Sequence, residues 1–374
     1  MDSPADTRAG LRRPSIAPHG ARAARTGAEL PRSTTMEGVT HAQTARPIVG
    51  PGGRAFVEVE DWAQLPAGWT FCDVPGVATG PDDRVYLLTR GNCPRSPDHP
   101  VIVLEADGSF VRAFGDGDFT FPHAIAMGVD GLLYCTDVGG HRVHVYTTEG
   151  ERVRTIAGPV SPSDTGYTTD FRTITHGGPP FNQPTKMVTA PGGDLFASDG
   201  YGNARIHHFS PSGELRSSWG QPGATPGAFN IPHAVLVLPD ERVLVCDREN
   251  NRIQVFDLGG RFLEEWSDLA RPDDVCVDEA GHVWVAELGE RAALFPFMVP
   301  PYGKDRPARL SVLDLDGRPL LRWGEDPSAG LQFVAPHGIT VDGGGNVYVA
   351  EVRQAAGADP AGWRSAVRKF TRVR

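Results

Sequence analysis

One unit recurs six times along the 374 residues, and nothing else in the chain limits its fold as tightly. The unit has a proline ahead of an apolar run, a Gly turn, and a second run ending in Asp or Glu. A loop follows, then a run opening on Arg and closing on Phe or Tyr, another Gly turn, and a last run ending near Trp, Phe or Ile. Phe229–Asp268 is the plainest copy: NIPHAVLV, RVLVCDREN, NRIQVF, DLGGR, FLEEWSD. The others are Pro75–Asp116, Phe121–Gly158, Phe181–Gly220, Ala270–Asp326 and Phe333–Val373. Each copy holds four short runs with period-two alternation or continuous apolarity, and no helical period appears. Four strands repeated six times predict an all-β chain folded as a six-bladed β-propeller, in which radial repetition protects the sheet edges. Arg54–Glu60 (RAFVEVE) alternates well and supplies the strand that the sixth unit lacks, so an N-terminal strand closes the ring.

The propeller is expected over residues 51–374. Residues 1–50, rich in Arg, Ala, Pro, Ser and Thr, read as a disordered tail. That tail contains no apolar stretch long enough for a secretory signal, even if Met36 is the start, and no spanning helix occurs anywhere; a cytoplasmic location is expected. With 36 basic against 46 acidic residues the chain carries −10, which gives no reason to expect nucleic acid or a membrane surface as partner. Self-protected edges predict a monomer. Of the five cysteines, Cys135, Cys246 and Cys276 lie in apolar runs and read as buried thiols rather than parts of a disulfide framework. The recurring pairs Asp137/Arg142, Asp199/Arg205 and Asp247/Arg252 read as structural ion pairs.

Let the strands of a unit run a to d from the axis outward. The long insertions Arg90–Pro100, Pro159–Pro180, Leu288–Pro307 and Val352–Trp363 all fall between b and c or between units, on the face where strand a begins. Long loops gathered on one face of a rigid scaffold mark a functional face. The residue that opens strand a is, in order, Gly76, His123, Thr185, His233, Asp273 and His337. Histidine stands in alternate units, and alternate blades of a six-bladed ring are about 120° apart around the channel. One Pro-His at a strand start is ordinarily a packed or solvent-facing residue; three in strict alternation point to a metal site. Three imidazoles with an open fourth position suit catalytic Zn2+, and imidazole also suits Fe, Cu or Ni. Arg90, Tyr201 and Arg248 lie just past strand b and point to the same face. A guanidinium matches a carboxylate, and a tyrosine near a metal and arginines can act as a base.

The runs FPHAI, SDGYGNARIHHFSPSGELRSSWG, FNIPHAVLVLP, VCDRENNRIQVF and APHGITVDGGGNVYVAE resemble the peptidyl-α-hydroxyglycine α-amidating lyase family, built on NHL-type repeats. The resemblance covers essentially all six units and implies a stand-alone member. It implies metal-dependent cleavage of the C–N bond of a C-terminal α-hydroxyglycine, giving an amide and glyoxylate, with a peptide C-terminus or a smaller carbinolamide as substrate. It places zinc ligands at His123, His233 and His337, the catalytic tyrosine at Tyr201 and active-site arginines at Arg90 and Arg248. Arg248 is then expected to hold the substrate carboxylate, and Arg90 to stabilise ionised Tyr201. Two positions depart from the family. Gly338 replaces an aspartate tied to a structural calcium, so that Ca2+ is doubtful, and Gly202 replaces a disulfide cysteine. The competing readings are a non-catalytic NHL-type propeller that binds a protein or carbohydrate, and a propeller lactonase, which typically holds an axial calcium through carboxylate and amide oxygens.

Overall fold

A computed structural model describes residues 47–91, 96–157, 161–291, 305–326, 331–357 and 365–373. Each repeat folds as one antiparallel sheet. In the first five the order is a-b-c-d: in the second, for example, Pro122–Met127, Leu133–Asp137, Arg142–Tyr146 and Arg152–Ala157. The sixth sheet joins Pro336–Val341, Val347–Glu351 and Val367–Arg372 to Ala55–Val59, which pairs Val57 with Thr371 and Glu58 with Phe370. The ring is thus closed by the alternating N-terminal run. Ile48–Val49 adds a further short strand by pairing with Ala55 and Phe56, so the boundary drawn at residue 50 falls inside a hairpin. Among the described residues no helix is long and apolar enough to cross a membrane.

The core lies between blades, because each sheet is apolar on both faces and must bury them against its neighbours. Strand b of the fourth blade shows this: Val243 and Val245 pack toward the third blade, Leu244 and Cys246 toward the fifth. The closing joint is aromatic. Phe56 meets Trp323 and Trp284 edge-on, with ring centroids 5.1 and 6.2 Å apart.

The acid at the end of strand b has a constant partner, but it is not the arginine. In blades two to six it accepts the backbone N–H two residues ahead of the strand-a proline: Thr120 to Asp137, Asn182 to Asp199, Asn230 to Asp247, Ala270 to Glu287 and Val334 to Glu351. Of the three predicted ion pairs only Asp247–Arg252 forms, at 2.8 Å. Arg142 donates to the Gly140 carbonyl and Arg205 to the Ser218 carbonyl. The carboxylate therefore ties down the loop that feeds strand a, a backbone requirement that holds whichever cation is nearby. The cysteine reading also needs correction. Cys135, Cys246 and Cys276 are free, but Cys72 is disulfide-bonded.

Candidate metal centre

The first turn of strand a carries a β-bulge in five blades. Register shifts between Pro122 and Ala124, Pro184 and Lys186, Pro232 and Ala234, Pro272 and Asp274, and Pro336 and Gly338. The bulged residues are His123, Thr185, His233, Asp273 and His337; blade one pairs regularly through Gly76. A bulge re-aims a side chain that the pleat would otherwise turn into the sheet stack.

Three of these side chains form a near-equilateral triangle. The rings of His123, His233 and His337 lie 4.8, 4.8 and 4.9 Å apart by centroid, and each residue is at most 3% exposed. One nitrogen from each lies within 4.8 Å of the others, and no other described residues form such a group. Every Nδ1 lies 2.7 Å from a backbone carbonyl of the next blade: His123 on Thr185, His233 on Asp273, His337 on Pro75. A carbonyl only accepts, so Nδ1 carries the proton and Nε2 keeps its lone pair, the orientation a metal ligand needs. Burial, chiefly, with repulsion from Arg248 on all three and from Arg90 on His123 and His337, holds the imidazoles well below their ordinary pKa and therefore neutral.

Tyr201 is the next layer. It follows strand b of blade three in a turn where a side chain on Gly202 would collide with Asn182. Tyr201 Oη lies 3.1 Å from His123 Nε2 and 2.9 Å from His233 Nε2, and Arg248 donates to it over 3.3 Å. The phenol proton can serve only one imidazole at a time, and His337 Nε2 is buried with no partner. Lone pairs so gathered, with so few protons, fit a cation. Burial raises Tyr201 above its ordinary pKa, although Arg248 and Arg90 pull it down.

Arg90 and Arg248 both reach this site but differ in availability. Arg248 is fully buried; its guanidinium bonds Glu249 at 2.8 Å and Asp273 at 3.1 Å besides Tyr201. Those carboxylates and Tyr201 keep it protonated despite burial. Arg90 has a side chain 6% exposed, lies 3.7 Å from Asp73 and stacks on Phe121 at 4.7 Å. It lines a pocket of about 350 Å3, with Phe121, Val138, Gln183, Tyr201, His337 and Val352, on the face of the long loops. All six sequence-selected residues thus meet at one site. Residues 292–304, the middle of the Leu288–Pro307 insertion, lie outside the described residues.

Sequence reasoning missed Asp273, Glu249 and Lys186. Asp273 and Lys186 carried a signal: the first shares the histidines' repeat position, and the second follows it in blade three. Lys186 Nζ pairs across the channel with Asp274, whose other oxygen accepts the Ile339 N–H at 3.1 Å. A Cβ on Gly338 would stand 3.0 Å from Gly76 Cα and 3.1 Å from Val77 N. These residues suit a structural calcium poorly: the Lys186 ammonium already pairs with Asp274, and Gly338 offers no ligand where a side chain would crowd the backbone of Gly76 and Val77.

Comparison with known proteins agrees with the repeat reading. Residues 229–256 match the NHL repeat family. The chain is 28% identical to peptidyl-glycine alpha-amidating monooxygenase B of Xenopus laevis over 73% of this chain and 30% of that protein. It thus spans about a third of the length of that relative. Identity is 29% to peptidyl-alpha-hydroxyglycine alpha-amidating lyase 1 of Drosophila melanogaster, over 67% of this chain and 47% of the relative. It is also 29% to human NHL repeat-containing protein 3, over 78% and 80%. Among solved structures, a gluconolactonase from Xanthomonas campestris superposes with a TM-score of 0.55 at 13% identity, over 86% of this chain and 91% of that one, a likeness of fold alone.

Proposed function

We propose that this chain, similar to NHL-repeat proteins and to peptidyl-α-hydroxyglycine α-amidating lyases, is a metal-dependent lyase that splits the C–N bond of an α-hydroxyglycine-type substrate. The observation that carries this reading is the meeting of three proton-free Nε2 atoms with Tyr201 Oη and a buried arginine. Such a set can bind a cation and move one proton. Zn2+, or another divalent transition metal, held by His123, His233 and His337 would supply Lewis-acid polarisation and further positive charge beside Tyr201.

The remaining chemistry belongs to the chain. The substrate is an amide nitrogen on a carbon bearing a hydroxyl and a carboxylate. Tyr201 as phenolate accepts the hydroxyl proton, the C–N bond breaks as the carbon becomes an aldehyde, and the proton returns to the departing amide nitrogen. One amide and one glyoxylate result. Arg248, spent on Glu249 and Asp273 and touching Tyr201, is suited to stabilising the phenolate. Arg90, on the pocket wall, is suited to gripping the substrate carboxylate, so the geometry favours exchanging the two arginine roles expected at first. Apolar Phe121, Val138 and Val352 suit the acyl or peptidyl portion.

The test is glyoxylate release from an N-acyl-α-hydroxyglycine and from a peptide ending in α-hydroxyglycine, using zinc-loaded protein. Equimolar amide and glyoxylate, lost on chelation, is the expected result. No release from either substrate by a protein that retains one bound metal would overturn the lyase and favour a binding propeller.

A further inference from the structure

Asp273 opens strand a of blade five, at the bulge position that carries histidine in blades two, four and six. It is fully buried. Its Oδ1 lies 3.1 Å from His233 Nδ1 and accepts Arg248 Nη1 at 3.1 Å. Its backbone carbonyl takes the His233 Nδ1 proton at 2.7 Å. Its Oδ2 has no hydrogen-bond partner and lies 3.9 Å from His337 Nε2, itself unpartnered. One residue therefore approaches two corners of the histidine triangle, and one of its oxygens is left over. A buried carboxylate oxygen without a donor is costly unless something cationic answers it.

Charge balance points the same way. Each imidazole gives its Nδ1 proton to a carbonyl and offers only a lone pair at Nε2, and the guanidinium groups nearest them, Arg90 and Arg248, repel a cation. Glu249 answers Arg248 and Arg271 but contacts none of the histidines. Among the described residues the only carboxylate contacts to the triad come from Asp273. We propose that Asp273 belongs to the metal centre as its charge-balancing carboxylate, holding the His233 ring through its backbone carbonyl and facing the ion with Oδ2. This rests on the metal reading above. Carboxylates that orient ligating histidines typically contribute ten- to a hundredfold in metal affinity.

The experiment is zinc affinity by competition with a chromophoric chelator, on the full chain, for the unsubstituted protein, Asp273→Asn and Glu249→Gln. Both substitutions remove a carboxylate that bonds Arg248, but only the first removes one that faces the histidines. The expected result is a ten- to hundredfold weaker zinc complex for Asp273→Asn and a change under about threefold for Glu249→Gln. Circular dichroism of the zinc-free proteins checks folding, and Asp273→Ser replaces the asparagine variant, under the same criteria, if that variant does not fold. Equal losses in both variants would show an effect passed through Arg248 and overturn the proposal, as would no loss in either. Tight zinc binding with an unchanged Asp273 variant would leave the lyase reading standing; absence of zinc binding by the unsubstituted protein would remove both.

Discussion

Acidification should barely weaken metal binding between pH 7.5 and 5.5. An imidazole of ordinary pKa, about 6.5, goes from about 90% neutral to about 10% neutral over that interval, a tenfold loss of ligand. Three such ligands lose about a thousandfold in affinity, or about 4 kcal/mol. Here burial, first, and the charges of Arg248 on all three and of Arg90 on His123 and His337 hold His123, His233 and His337 well below 6.5 in the folded chain. Each Nδ1–H is committed to a carbonyl 2.7 Å away, so the only place for an added proton is an Nε2 facing other lone pairs and arginines. Protons then compete poorly for the site across the interval. The same shifts have a stability cost. The unfolded chain takes up protons on these histidines near 6.5 while the folded chain does not, so the metal-free protein loses stability as pH falls from about 6.5 toward the lower folded values. Asp273, raised to about 7 by burial, works in the opposite sense but is one group against three. The assay is zinc affinity by chelator competition at half-unit steps, with circular dichroism to confirm folding. A loss close to three decades would refute the argument, because it would mean that the imidazoles titrate as free ones do.

Tyr201→Phe should keep its bound metal and its fold yet lose roughly a hundred- to ten-thousandfold in lyase turnover, the usual contribution of a general acid–base; a variant with full turnover would remove the tyrosine from the reaction. Arg90→Ala should mainly raise KM. Arg248→Ala should lower kcat and melting temperature together, since Glu249 and Asp273 lose a buried partner; steady-state kinetics with thermal melts separates the two. Added calcium should leave the melting temperature unchanged, whereas Lys186→Met should cost about 3–5 kcal/mol in denaturant unfolding by stranding Asp274. Phe56→Ala should cost about 3–5 kcal/mol at the closing joint, read the same way. Thiol titration of the denatured chain should rise on reduction, because Cys72 is disulfide-bonded while Cys135, Cys246 and Cys276 are free.

Much of this protein was legible in its linear pattern because a repeat protein writes its architecture once per unit. Strand count, blade count, the closing role of Ala55–Val59, the face on which the candidate residues gather and the alternation of histidine all follow from positions compared between units. Those are local properties: alternation, turn glycines, and which residue opens strand a. What the tertiary structure alone decided are the relations between blades. The carbonyls of the following blades that set the protons of His123, His233 and His337, and the Lys186–Asp274 pair across the channel, exist only once the ring is closed. Arg248 looked like an open fork because its own unit offers it no constraint beyond Glu249. It is buried because Asp273 and Tyr201, from the blades on either side, close around it. Hydrogen bonds and charges at a propeller axis are settled between units far apart in sequence, and a repeat read one unit at a time holds no record of them.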